Sequence, residues 1–214
     1  MTNLLTGRRG KIASICFTVV LAIGILAECG AALAMDPQDT VRSLYDTLLA
    51  TMKDGRTLGQ SGRYTRLAPV VNRVFDVPFM TRLAMGPGWA ALTPAQQQQV
   101  TEAFAHYVTA TYADRFDSYS GEQLQVAGAQ PYNAGTIVKT RIVNSKGEPT
   151  TLNYLLHQNQ GSWQISDVYL DGTISQLATQ RSEFHSILQR QGFDGLILAL
   201  NRKVDLLTSV AKSS

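Results

Sequence analysis

Acid–base chemistry needs a buried carboxylate or imidazole with a positioned partner. Asp114 and Asp117 lie on one long predicted helix, near Tyr112 and Tyr119. Asp167 follows Trp163 on a predicted strand. A carboxylate in such company is more often solvated or structurally paired than catalytic. His106, His157 and His185 fall on a helix, a strand end and another helix. No pair has metal-ligand spacing, and no H-E-x-x-H run occurs, so no metal site is expected. There is no serine nucleophile elbow and no phosphate-cradling glycine loop. The expectation is a protein that is not an enzyme and needs no cofactor. A curved-sheet cone with a catalytic cavity stands as the alternative from another class.

The only cysteines, Cys16 and Cys29, both lie near the start of the chain. Arg8, Arg9 and Lys11 precede an apolar run from Ile12 to Leu26, and Ala32-Leu33-Ala34 follows. That order reads as an export signal, residues 1–34, cleaved after Ala34. The run of about 15 residues is shorter than a bilayer span. Twin-arginine export is disfavoured because Gly10 and Lys11 follow the pair, and lipidation of Cys29 because Glu28 stands where a small residue is wanted. Residues 35–214 are then expected to form a single domain in the periplasm, without disulfide or thiolate chemistry. The signal would remove three basic residues and one acidic residue from a total of 19 and 16. The remainder is nearly neutral and has no basic stripe, which disfavours nucleic acid as a partner.

The elements follow from periodicity. Val41, Leu44, Tyr45, Leu48, Leu49 and Met52 share a helical face. Gly55, Gly59 and Gly62 are expected to break that helix, with a new one from Tyr64 to Phe75. A short helix starts at Asp76-Val77-Pro78 and ends at Gly86-Pro87-Gly88. Thr93-Pro94-Ala95-Gln96 is a capping box with proline at the first helical position. It opens a helix expected to run to about Tyr119. From Glu122 the period becomes two, with turns at Asn144-Ser145-Lys146-Gly147 and at Gln158 to Ser162. Four antiparallel strands between about Leu124 and Leu170 are expected. Helical spacing returns at Ile174, Leu177, Ala178, Phe184 and Leu188, breaks at Gly192, and resumes from Leu196 to Leu207. Helices, strands, then helices is an α+β order, with a sheet wrapped by helices from both termini.

Several of these residues resemble the MlaC/toluene-tolerance family in order and spacing. The first block is Phe75-Asp76, Met80, Leu83-Ala84-Met85-Gly86, Trp89 and Leu92-Thr93-Pro94-Ala95-Gln96. Phe104, Tyr107-Val108, Tyr112, Phe116 and Tyr119 continue the family's long helix. Trp163, Asp167-Val168, Gly172, Arg181-Ser182-Glu183-Phe184 and Gly192-Phe193-Asp194-Gly195 resemble its C-terminal block. Thr173 is inserted in Asp171-Gly172-Thr173-Ile174-Ser175, which looks like the HpnM branch associated with hopanoid synthesis. The resemblance implies a curved antiparallel sheet closing an apolar lipid cavity against its helices. It implies a periplasmic carrier, expected to be a monomer, of phospholipid or hopanoid. Its implied partners are an inner-membrane ABC transporter complex and an outer-membrane lipid-transfer partner. A ligand-free structural adaptor is a further alternative.

Sheet alternation places Leu152, Tyr154 and Leu156 on one face, and Val138 and Ile142 beside them. Val74, Phe75, Phe79, Leu83, Phe104, Val108, Tyr112 and Phe116 are candidates to close over that face from the helices. Val168, Leu170, Ile174 and Leu177 complete the candidate lipid-binding set. Ile174 is expected to line or gate the cavity where the last strand turns into the following helix, with Gly172 supplying the bend. The competing reading is ordinary core packing, since apolar stripes usually just pack.

Overall fold

The computed structural model describes residues 36–209. The proposed signal, with Arg8, Arg9, Lys11, Cys16, Cys29 and the Ala34–Met35 junction, lies outside the described residues. Helix α1 spans Pro37–Lys53, and the Asp36 side chain caps it by accepting from the Gln38 N–H at 2.9 Å. Its inner face buries Val41, Leu44, Tyr45, Leu48 and Met52. Among the described residues no helix is long and apolar enough to cross a membrane.

Helix α2 spans Gly55–Val74 and differs from the expected break and restart. It is kinked at Gly59, whose φ of 59° suits glycine, while Gly62 sits in regular helix. Gly55 has a different purpose. A Cβ there would lie 1.9 Å from the Asp117 carbonyl oxygen, so the close approach of α2 to the chain after the long helix requires glycine. Arg63 fastens the same junction. It is 7% exposed and donates to the carbonyls of Ala113 and Gly55 and to Gln60 Oε1.

Helix α3 spans Val77–Met85, followed by a 3-10 turn over Gly86–Ala91. Asp76 caps α3 by accepting from the Phe79 N–H, and its other oxygen accepts from Asn159 and pairs with His157 at 2.9 Å. Helix α4, Pro94–Arg115, opens on the capping box, with both Thr93–Gln96 bonds formed. It stops four residues short of the expected Tyr119, because Phe116 leaves helical geometry at φ −112°, ψ 58°.

The strands are β1 Gln123–Tyr132, β2 Gly135–Val143, β3 Pro149–Asn159, β4 Ser162–Leu170 and β5 Ile174–Ser175. They form one antiparallel sheet in sequential order. The fifth strand is an addition to the four expected. After Asp171 and Gly172 turn with positive φ, Ile174 pairs with Leu170 and Ser175 with Tyr169. Bulges between Val126 and Gly128 and between Leu155 and Leu156 bend the sheet, giving it the curvature the fold needs. Helix α5, Gln176–Ser209, bends at Gly192 (φ 68°), so the expected break there is a kink.

One face of the sheet meets the helices. Register places Val138, Tyr154 and Val168 side by side, with Ile142 beside Thr150 and Leu152 beside Leu170. The Tyr45 ring of α1 meets the Tyr154 ring edge-on at 5.8 Å, and its hydroxyl bonds Thr140. The junction of α2 and α3 is tied to β4 by the Asp76 N–H, which donates to the Ile165 carbonyl at 2.9 Å.

Candidate functional site

The helices do not fill the sheet's inner face evenly. At the Leu156 end, Val138, Tyr154, Leu156 and Ile165 are fully covered. Toward the β2–β3 hairpin the face stays open, and a cavity of about 370 Å³ lies between it and α4. That size falls within the range of small-molecule sites.

Helix α4 supplies one wall with Phe104, Tyr107, Val108, Thr111, Tyr112 and Arg115, and Phe116 follows at its end. Steps of three and four keep these side chains on one face. Ile142, Thr150, Leu152, Val168 and Leu170 form the sheet wall. Phe75 and Met80 come from the α2–α3 region, and Gln176, Leu177 and Gln180 from the start of α5. Phe75, Met80 and Phe104 are buried, whereas Arg115 and Thr150 are exposed. The cavity therefore has an apolar floor and a polar rim.

Ten of the candidate residues line this cavity: Phe75, Phe104, Val108, Tyr112, Phe116, Ile142, Leu152, Val168, Leu170 and Leu177. The other seven lie elsewhere. Val74, Val138, Tyr154 and Leu156 are packed in the core. Phe79 is 37% exposed, with its ring 4.4 Å from that of His157. Leu83 is 40% exposed and faces a second groove with Arg82, Trp89 and Arg181. Ile174 is 51% exposed and stands outside the wall, because pairing with Leu170 in β5 holds it at the sheet edge.

Met80, Tyr107, Thr111, Arg115, Thr150, Gln176 and Gln180 complete the lining and were not among the candidates. Helical spacing from Phe104 points to Tyr107, Thr111 and Arg115. Thr150 is the register partner of Ile142, which no local pattern reveals.

The aromatic side chains pack closely. Phe75 and Tyr112 have ring centres 5.4 Å apart, and Tyr112 stacks on Phe116 at 5.7 Å. Burial pushes the phenols of Tyr112 and Tyr154 well above their ordinary range, so both are neutral at physiological pH. The buried Tyr154 hydroxyl has no hydrogen-bond partner. Tyr154→Phe is therefore expected to hold or raise stability, by up to about 1 kcal/mol, in urea denaturation. A loss of that size would mean the hydroxyl is in fact bonded.

None of the acid–base candidates lines the cavity. Asp167 is buried and accepts from the Val168 and Leu177 N–H groups and from the Ser175 hydroxyl, which caps the start of α5. Asp114 and Asp117 lie outside the cavity wall. His106 bonds the Tyr64 hydroxyl and His157 bonds Asp76, while His185 is exposed. Among the described residues no group of three or more His, Cys, Asp or Glu is placed to hold a metal.

The family model described as MlaC protein matches residues 42–202 of this chain. Among solved structures, a phospholipid-binding protein from Ralstonia solanacearum, determined at 1.53 Å in complex with a phospholipid, has the same fold. The TM-score is 0.71 at 25% sequence identity, and the match covers 81% of this chain and 99% of the other.

Proposed function

This chain belongs to the MlaC family, and from that premise we propose that it is a lipid carrier whose cargo's apolar tails occupy the cavity between α4 and the sheet. The observation that carries this reading is the wall itself, which is apolar at its floor and open at a polar rim. Among the described residues that line it there is no Asp, Glu or His to act as acid or base, which favours holding a molecule over transforming it.

The cargo of this proposal is a phospholipid, as in the Ralstonia protein. The Gly172-Thr173-Ile174-Ser175 element keeps a hopanoid as the alternative cargo. The mode of exchange follows from magnitude. Each buried methylene is worth about 0.8 kcal/mol, so a long acyl chain is not released into water at a useful rate. The carrier hands lipid directly between docked partners, an inner-membrane ABC transporter complex and an outer-membrane component. It works as a monomer in the periplasm, after export and removal of residues 1–34, with residues 35–214 acting as one domain.

Native mass spectrometry of the protein purified from its own cells tests this. A mass shift equal to one phospholipid is expected, with the chain beginning at Met35. A hopanoid adduct would move the cargo to the alternative. A bare chain that also takes nothing from vesicles would refute the carrier reading.

A further inference from the structure

The cavity rim carries a single full charge among the described residues, that of Arg115 in the last turn of α4. Its guanidinium enters none of the ion pairs or side-chain hydrogen bonds found among the described residues. The neighbouring carboxylates leave it free. Asp117 accepts from the Ser118 hydroxyl, and neither Asp114 nor Asp117 comes within ion-pair distance.

A second polar group in the same wall lacks a partner. The amide oxygen of Gln180 is shielded from water and accepts no hydrogen bond. A buried acceptor without a donor is costly, so a ligand that supplies the donor gains what the empty site lacks. A guanidinium at an open rim presents a planar fork of N–H donors that suits phosphate or carboxylate oxygens.

We infer that Arg115 reads the cargo's head: the cavity selects amphiphiles bearing an anionic oxyacid at the head, with Gln180 accepting from a neighbouring hydroxyl or amine. This rests on the carrier reading above and adds a charge preference to it. Tails enter first, against Phe75 and Phe104, which leaves the head beside Arg115 and Thr150. The contact lies at an open rim, so the preference weakens with salt. Phosphate and carboxylate heads share this chemistry. Neutral amphiphiles of the same tails do not.

The test is a competition on the whole protein, stripped of lipid. It is mixed with phosphatidylcholine vesicles holding matched amounts of dioleoyl phosphatidylglycerol, dioleoylglycerol and oleic acid. Bound lipid is then counted by mass spectrometry. Wild type is expected to enrich an anionic species over dioleoylglycerol by about two- to fivefold, the scale of an exposed charged contact. Arg115→Gln should bring that ratio close to the input, and Arg115→Lys should restore most of it. Enrichment of phosphatidylglycerol alone assigns the site to phosphate heads, and of oleate alone to carboxylate heads. Equal uptake of all three by wild type overturns the inference and leaves the carrier standing. So does an unchanged ratio in Arg115→Gln. If wild type loads no lipid at all, the carrier reading fails, and this inference fails with it.

Discussion

Leu152→Glu is expected to empty the cavity and leave the fold in place. Leu152 lines the sheet wall, half-buried, beside Leu170. In the empty protein a glutamate there can reach water through the open rim, so folding loses little. With an acyl chain in the cavity the carboxylate must be desolvated against hydrocarbon, at a cost of several kcal/mol. Even about 3 kcal/mol lowers loading roughly a hundredfold. Co-purified lipid per protein should fall accordingly, while thermal unfolding stays cooperative. Ile174→Glu is the control, since that side chain stands outside the wall. If Leu152→Glu retains lipid at the wild-type ratio, the cargo does not occupy this cavity. Leu156→Glu would be a poor substitute, because Leu156 is sealed in the core and a carboxylate buried there should unfold the protein.

Phe104→Ala should produce the largest loss of stability among the cavity residues. Phe104 is 2% exposed, and its ring meets Phe184 of α5 edge-on at 5.4 Å. It thus joins the two longest helices while also forming the cavity floor. Truncating a buried phenylalanine typically costs about 3–5 kcal/mol, from lost transfer energy and the void left behind. Chemical denaturation of lipid-free protein measures this directly. A loss below about 1 kcal/mol would mean that the α4–α5 contact is loosely packed. Bound lipid stabilises only the folded state, so the loaded variant should unfold at higher denaturant than the empty one.

Local patterns settled what local energies control. The Thr93 capping box is formed by groups three residues apart, and it appears as read. The change from helical to alternating period at Glu122 marks the passage into β1. The α+β order and the inner sheet face that carries Val138, Ile142, Leu152 and Tyr154 follow from the same periodicities. These readings hold because hydrogen bonding and side-chain direction within a helix or strand depend on near neighbours.

Tertiary structure decided which apolar residues close the core and which line the cavity. Leu152 and Leu156 lie on one strand and one face, with the same side chain, yet one borders the cavity and the other is sealed. The difference is whether a helix fills the space opposite, and that depends on chain far away in sequence. The same applies to Arg63, whose partner Ala113 is 50 residues distant, and to Gly55, which reads as a helix breaker but permits a close backbone approach. Strand β5 also needed its neighbour: two residues have no period of their own and become a strand only by pairing with β4. An amino-acid pattern specifies which face is apolar. The volume left between two such faces is set by how the helices cross the curved sheet, and no single segment encodes that crossing.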